Sequence, residues 1–150
     1  MRRITIAQSK KSKKRSATKR RDEEEVFFID ASMGRALGRR LVAEGVRVVL
    51  HDDEFSQGTL DQDWLPVVGE HGWIVLTKDL RLRYHALEKE ALIAAGVRAF
   101  GFTSGNMSGV EMADAIVKAL PKMRSLLAKH RKAFVARITA TSDVAILLQG

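Results

Sequence analysis

The chain has 150 residues, 45% of them of apolar type, enough for one domain with a real hydrophobic core. It contains no cysteine, which excludes disulfide scaffolds, thiolate metal sites, thiol nucleophiles and iron-sulfur clusters. Its formal charge of +8 is unevenly spread: residues 1–25 carry ten Lys or Arg against four acids, the other 125 residues sixteen against fourteen.

A polyanionic partner is therefore suggested by an appendage, while the nearly balanced remainder must be judged on its own motifs. No apolar run approaches the roughly 20 residues that span a bilayer. The N-terminus also lacks the apolar stretch of a signal peptide. The expectation is a cytoplasmic protein with no membrane partner.

From Gln8 to Glu25 no aromatic and almost no aliphatic side chain occurs, so the segment cannot bury enough surface to offset its ordering entropy. Residues 1–25 read as a basic disordered tail and 26–150 as the folded domain. Val26-Phe27-Phe28-Ile29 is a short β-favouring run that ends abruptly in Asp30, the pattern of a strand buried on both faces. Met33, Leu37, Leu41 and Val42 then recur at helical spacing among arginines, with Gly45 as terminator. Val46 to Leu50 is a second strand, ending in His51, Asp52 and Asp53.

After a loop at Gly58, Asp61 is placed to cap a helix from Gln62 to about Glu70. Trp73 to Leu76 forms a third strand, ending in Thr77-Lys78-Asp79. Leu82, Leu87, Ala91 and Leu92 stripe a helix closed by Gly96, and Val97 to Phe102 is a fourth strand. Ser108 and Glu111 have capping-box spacing before a helix that Pro121 should kink or divide. Phe134 to Ile138 and Val144 to Leu148 read as two strands around a turn, an antiparallel addition at an edge.

Alternating strands and helices with short connections predict right-handed βαβ units. The fold class is α/β: three layers, a mainly parallel central sheet, helices on both faces. In such sheets ligands bind beyond the carboxyl ends of the strands, and here Asp30, Asp52, Asp53, Asp61 and Asp79 should converge at that edge. Any one of them could merely end a strand or cap a helix; several at one edge argue for a site. Clustered carboxylates resist ionising together, and a hard divalent cation, Mg2+ or Mn2+, relieves the repulsion through oxygen ligands. Such an ion can activate water for in-line displacement at phosphorus, so phosphodiester hydrolysis is the natural reaction class.

Phe27-Phe28-Ile29-Asp30-Ala31-Ser32, Leu60-Asp61-Gln62-Asp63-Trp64-Leu65 and Trp73-Ile74-Val75-Leu76-Thr77-Lys78-Asp79 resemble the motifs of PIN-like domains, nearest to the compact VapC-type toxins. The likeness covers roughly residues 26–138. It implies a metal-dependent ribonuclease, often the toxin of a toxin-antitoxin pair, that forms homodimers and is inhibited by a small cognate antitoxin. It assigns catalysis and metal binding to Asp30, Asp61 and Asp79, with Ser32 and Thr77 as accompanying hydroxyls. The family's usual glutamate between the first two strands has no clear counterpart, Glu44 lying too near the end of that segment. Asp53 or Asp63 could substitute as a metal ligand.

Lys78 and Arg81 flank Asp79 and could bind RNA phosphates, as could Asn106 after the fourth strand. None of the four histidines pairs with another at zinc-site spacing, and His51 reads as a surface or capping residue. Trp64 and Trp73 read as core. An alternative is a catalytically inactive PIN-like RNA-binding module that relies on the basic tail. A dehydrogenase-type nucleotide site is disfavoured, because no Gly-x-Gly-x-x-Gly turn follows any strand.

Overall fold

The computed structural model describes residues 25–78, 85–103 and 106–150; the tail at residues 1–24 lies outside them. The elements in chain order are β1 (Val26–Ile29), a 3-10 turn (Ala31–Met33), α1 (Arg35–Ala43), β2 (Arg47–Leu50), the single-turn α2 (His51–Glu54), α3 (Asp61–His71) and β3 (Ile74–Thr77). They continue with α4 (Ala86–Ala95), β4 (Arg98–Phe102), α5 (Gly109–Lys129), β5 (Phe134–Ile138) and β6 (Val144–Gln149). One sheet of order β2-β1-β3-β4-β5-β6 results, its first five strands parallel and β6 antiparallel at the edge. This is the three-layer, mainly parallel architecture expected.

The apolar runs are continuous because both faces are covered, and side chains alternate strictly between them. Phe27, Ile29, Ile74, Leu76, Phe100, Phe102, Phe134 and Ile138 face α1 and α5. Val26, Phe28, Val75, Ala99 and Val135 face α3 and α4. Phe28 is the centre of the second face, its ring lying 5.1 Å from Trp64 and 5.9 Å from Trp73. Both tryptophans are core, as expected.

Several expectations are corrected. Val42 and Leu87 are 59% and 63% exposed, so each lies off the buried stripe of its helix, and Leu82 lies outside the described residues. Pro121 does not divide α5, which runs unbroken over Gly109–Lys129. Leu120 and Met123 beside it are buried, and that packing outweighs the one backbone bond a proline forgoes. The connections also fail to share one hand. The steps from β3 to β4 and from β4 to β5 move the same way along the sheet, but α4 lies on one face and α5 on the other. The β4–α5–β5 unit therefore has the hand opposite to the other three. With α3 and α4 covering their face, only a long helix on α1's side could cover the strands that α1 does not reach.

Candidate active site

The first two strands in space that send their chains in opposite directions are β1 and β3: the chain leaves β1 through α1 on one face and β3 toward α4 on the other. A crevice at the carboxyl ends of such a pair is where open α/β sheets bind ligands. Asp30 ends β1 and Thr77 ends β3. The Asp30 N–H donates to Leu76 O at 2.9 Å, so the residue is still held by the sheet ladder while its side chain projects past it.

The 3-10 turn then curls the chain back. Asp30 O accepts from Met33 N at 2.9 Å, which brings the Ser32 hydroxyl to Asp30 Oδ2 at 2.7 Å. The Thr77 hydroxyl donates to the same oxygen at 2.9 Å, and Lys78 N donates to Ser32 Oγ at 3.3 Å. Thr77 is itself 2% exposed. One carboxylate oxygen is thus fixed by two hydroxyls, one from the turn after β1 and one from the end of β3, while no bond to Asp30 Oδ1 occurs among the described residues. Bonds of this kind orient a ligating carboxylate.

The other predicted acids are placed less simply. Asp61 does not cap α3; it is the first helical residue, Leu60 being the cap, and its Oδ1 accepts from Trp64 Nε1 at 3.1 Å. The tryptophan is buried under Phe28 and needs an acceptor for its indole N–H, which explains why the side chain turns there. Asp53 is ion-paired with Arg35 at 3.0 Å. Asp63 is exposed on α3, and Lys78 and Asn106 are exposed at the same edge. Asp79 and Arg81 lie outside the described residues. Among the described residues no three of His, Asp and Glu come together as a metal-holding group. The structure thus brings Ser32 and Thr77 to Asp30, while Asp53 and Asp61 bond Arg35 and Trp64.

His51 is the residue sequence reasoning misjudged. It is 5% exposed, not superficial. Its ring packs 5.6 Å from Phe55 and 5.9 Å from both Phe28 and Trp64, and Nδ1 lies 3.0 Å from Asp52 Oδ1. The signal was the i, i+4 spacing of His51 and Phe55, which a one-turn helix puts on one face. With Asp30, Arg35 and Asp52, His51 lines a cavity of about 30 Å³ beyond β1 and β2.

An α/β sheet with a hydroxyl-braced aspartate at its topological switch point defines the class of protein. A PIN-like domain family matches residues 26–104, more than half of the chain and all of strands β1 to β4, and the chain belongs to that family. It is also similar to "Putative ribonuclease VapC45" of Mycobacterium tuberculosis (strain ATCC 25618 / H37Rv), 24% identical over 99 residues, which cover 63% of this chain and 72% of the relative. No solved structure matches the chain. Among the described residues no helix is long and apolar enough to cross a membrane.

Proposed function

We propose that the chain is a divalent-metal-dependent endoribonuclease, hydrolysing RNA phosphodiester bonds in the cytoplasm as the toxin of a toxin-antitoxin pair. A small antitoxin opposes it, and the active form is a homodimer. The single observation that carries this reading is Asp30, held at the switch point through one oxygen by two hydroxyls. Family membership and the likeness to a VapC ribonuclease support the nuclease and toxin assignments.

The proposed ligands are all carboxylates and the chain has no thiol, which suits Mg2+ or Mn2+. Asp30, Asp61 and Asp79 would hold the ion, with Asp63 or Asp53 completing the set, the latter after releasing Arg35. An ion held there would supply a water of lowered pKa and offset negative charge developing at the phosphate. Ser32 and Thr77 keep the Asp30 carboxylate in one orientation, so no rotamer freedom is lost on binding. Lys78, Arg81 and Asn106 take the phosphates flanking the scissile bond without reading sequence.

The test is cleavage of a mixed RNA pool with Mg2+ or Mn2+, beside an EDTA control and the Asp30→Asn and Asp79→Asn variants. Metal-dependent cleavage that falls by at least about 100-fold in each variant, an effect on the order of 2.7 kcal/mol in the barrier, is the expected result. Cleavage undiminished in both variants would refute the reading. RNA binding without any cleavage would favour the inactive binding module instead.

A further inference from the structure

The cavity beyond β1 and β2 is lined by two acids, Asp30 and Asp52, and by one Lys or Arg side chain, that of Arg35. A third acid, Asp53, stands beside them as the partner of Arg35, at 3.0 Å. A phosphate group approaching Asp30 from this side therefore meets these carboxylates, and Arg35 is the cavity's counterweight to their charge. Local sequence puts the arginine there. Gly34, with φ 83 and ψ 158, takes a backbone that L side chains rarely adopt and turns the chain from Met33 straight into α1, whose first residue is Arg35. No atom lies within 4 Å of where a Gly34 Cβ would stand, so the approach to Arg35 is open on this side.

The pair of Arg35 and Asp53 does little for stability. Its side chains are 56% and 33% exposed, and ion pairs so well solvated contribute little to folding. It also uses the guanidinium poorly. Arg35 donates to one Asp53 oxygen from Nη2, and its Nε and Nη1 bond nothing among the described residues. A phosphate can take two parallel bonds from that planar fork, a better match than the single bond Asp53 makes. The cavity itself, of about 30 Å³, admits one phosphate oxygen rather than a nucleotide. The rest of such a ligand would lie along the open edge, where Lys78 and Asn106 are exposed.

We infer that Arg35 is a phosphate-binding residue of the candidate site, held ready by Asp53 and exchanged to a backbone phosphate of the RNA strand when the strand arrives. That the phosphate belongs to RNA rests on the nuclease reading above; that Arg35 takes a phosphate rests on the cavity and on the half-used fork. Until the exchange, Asp53 keeps the guanidinium beside Asp30 and spares the long side chain part of the ordering entropy that binding would otherwise cost.

The experiment is equilibrium binding of a fluorescent single-stranded RNA of mixed sequence to the full chain in EDTA, for the parent, Arg35→Gln, Asp53→Asn and the double variant. Arg35→Gln should weaken binding about 10-fold and lower the slope of log affinity against log salt by about 0.7. Asp53→Asn, which releases Arg35, should strengthen binding by up to about fivefold. That gain should vanish when residue 35 is already Gln, the signature of coupling in a double-mutant cycle. An equal gain in both backgrounds would reduce Asp53 to a general repulsion and overturn the exchange, as would parent-like binding by Arg35→Gln. Arg39, exposed one turn further along α1 and outside the cavity, is the control. A loss in Arg39→Gln equal to that in Arg35→Gln would place the effect in net charge and overturn the assignment. Inorganic phosphate bound as tightly as the RNA would assign the site to a free anion and overturn the strand. The two readings fail separately: metal-dependent cleavage with an additive cycle removes Arg35 and keeps the nuclease, whereas a coupled cycle without cleavage does the reverse.

Discussion

The two edges of the sheet are finished in different ways. At the amino edge α1, α3 and α4 all stop alike: a glycine with positive φ, Gly45, Gly72 or Gly96, follows the helix and reverses the chain. The next residue then donates back over a full turn, Val46 to Leu41 O, Trp73 to Val68 O and Val97 to Leu92 O, at 2.9, 3.1 and 3.0 Å. Both partners of each bond are buried apolar residues, which makes these Schellman closures with their hydrophobic contact. At the carboxyl edge the same three helices begin at Gly34, Leu60 and His85 with no side-chain cap. There the polar side chains bond one another instead: Ser32 and Thr77 to Asp30, Arg35 to Asp53, Trp64 to Asp61. Stability is concentrated where the chain returns, and side chains are left for chemistry where it does not.

The contrast predicts opposite phenotypes at the two ends. Replacing Ser32 by Ala and Thr77 by Val frees Asp30 Oδ2 from both hydroxyls without opening a cavity at the threonine. Removal of such supporting bonds typically costs 10- to 100-fold in metal affinity or activity. RNA cleavage and the metal concentration needed for half-maximal cleavage are expected to change by that order, with little change in melting temperature. Normal cleavage in this double variant would mean that the bracing of Asp30 is structural only.

Gly69 near the end of α3 should behave in the reverse way. A Cβ there would collide with the backbone carbonyl oxygen of Ala95 at the end of α4 and come within 2.8 Å of the Ala95 Cβ. Neither obstacle can swing aside. In an exposed helix Gly→Ala would gain about 1 kcal/mol, whereas forced overpacking costs about 1–3 kcal/mol. Gly69→Ala is therefore expected to destabilise, by up to roughly 2 kcal/mol net in urea unfolding, while cleavage per folded molecule stays unchanged. A stabilised variant would show that the two helices have room to part.

Much of this division could be read from the chain. The four buried runs, the C-terminal antiparallel pair and the Ser108–Glu111 capping box, with bonds of 2.9 and 3.1 Å, depend on neighbours in sequence and were legible there. Asp30, Ser32 and Thr77 were legible as residue types at strand ends, but their meeting was not, because it requires β3 to lie beside β1 rather than β2. What stayed hidden depends on contacts across the fold. His51 is drawn inward by Phe28 and Trp64, Asp61 is turned by the buried indole of Trp64, and Asp53 is claimed by Arg35, 18 positions away. The hand of the β4–α5–β5 unit follows from which face still needed cover, a property of the whole sheet.

The smallest expected effect lies at the turn joining β5 to β6, also on the carboxyl edge. Ser142 adopts φ 66, and its buried hydroxyl donates to Ala115 O at 2.7 Å, pinning the turn to α5. Asp143 beside it accepts from Thr141 Oγ1 at 2.9 Å and from Lys122 Nζ at 3.4 Å. The threonine hydroxyl first, and the lysine second, hold its carboxyl below the ordinary value of 3.8. A carboxylate whose folded pKa is depressed contributes stability that is present above its unfolded pKa and disappears as pH falls through the folded one. The contribution should therefore be complete above about pH 4 and fade below it. Because the group is fully exposed, salt should weaken the lysine's part. Melting curves from pH 2 to 6 should show Asp143→Asn slightly less stable than the parent at the upper end and equal to it at the lower. A gap that persists at pH 2 would place the effect in the shape of the turn rather than in the charge.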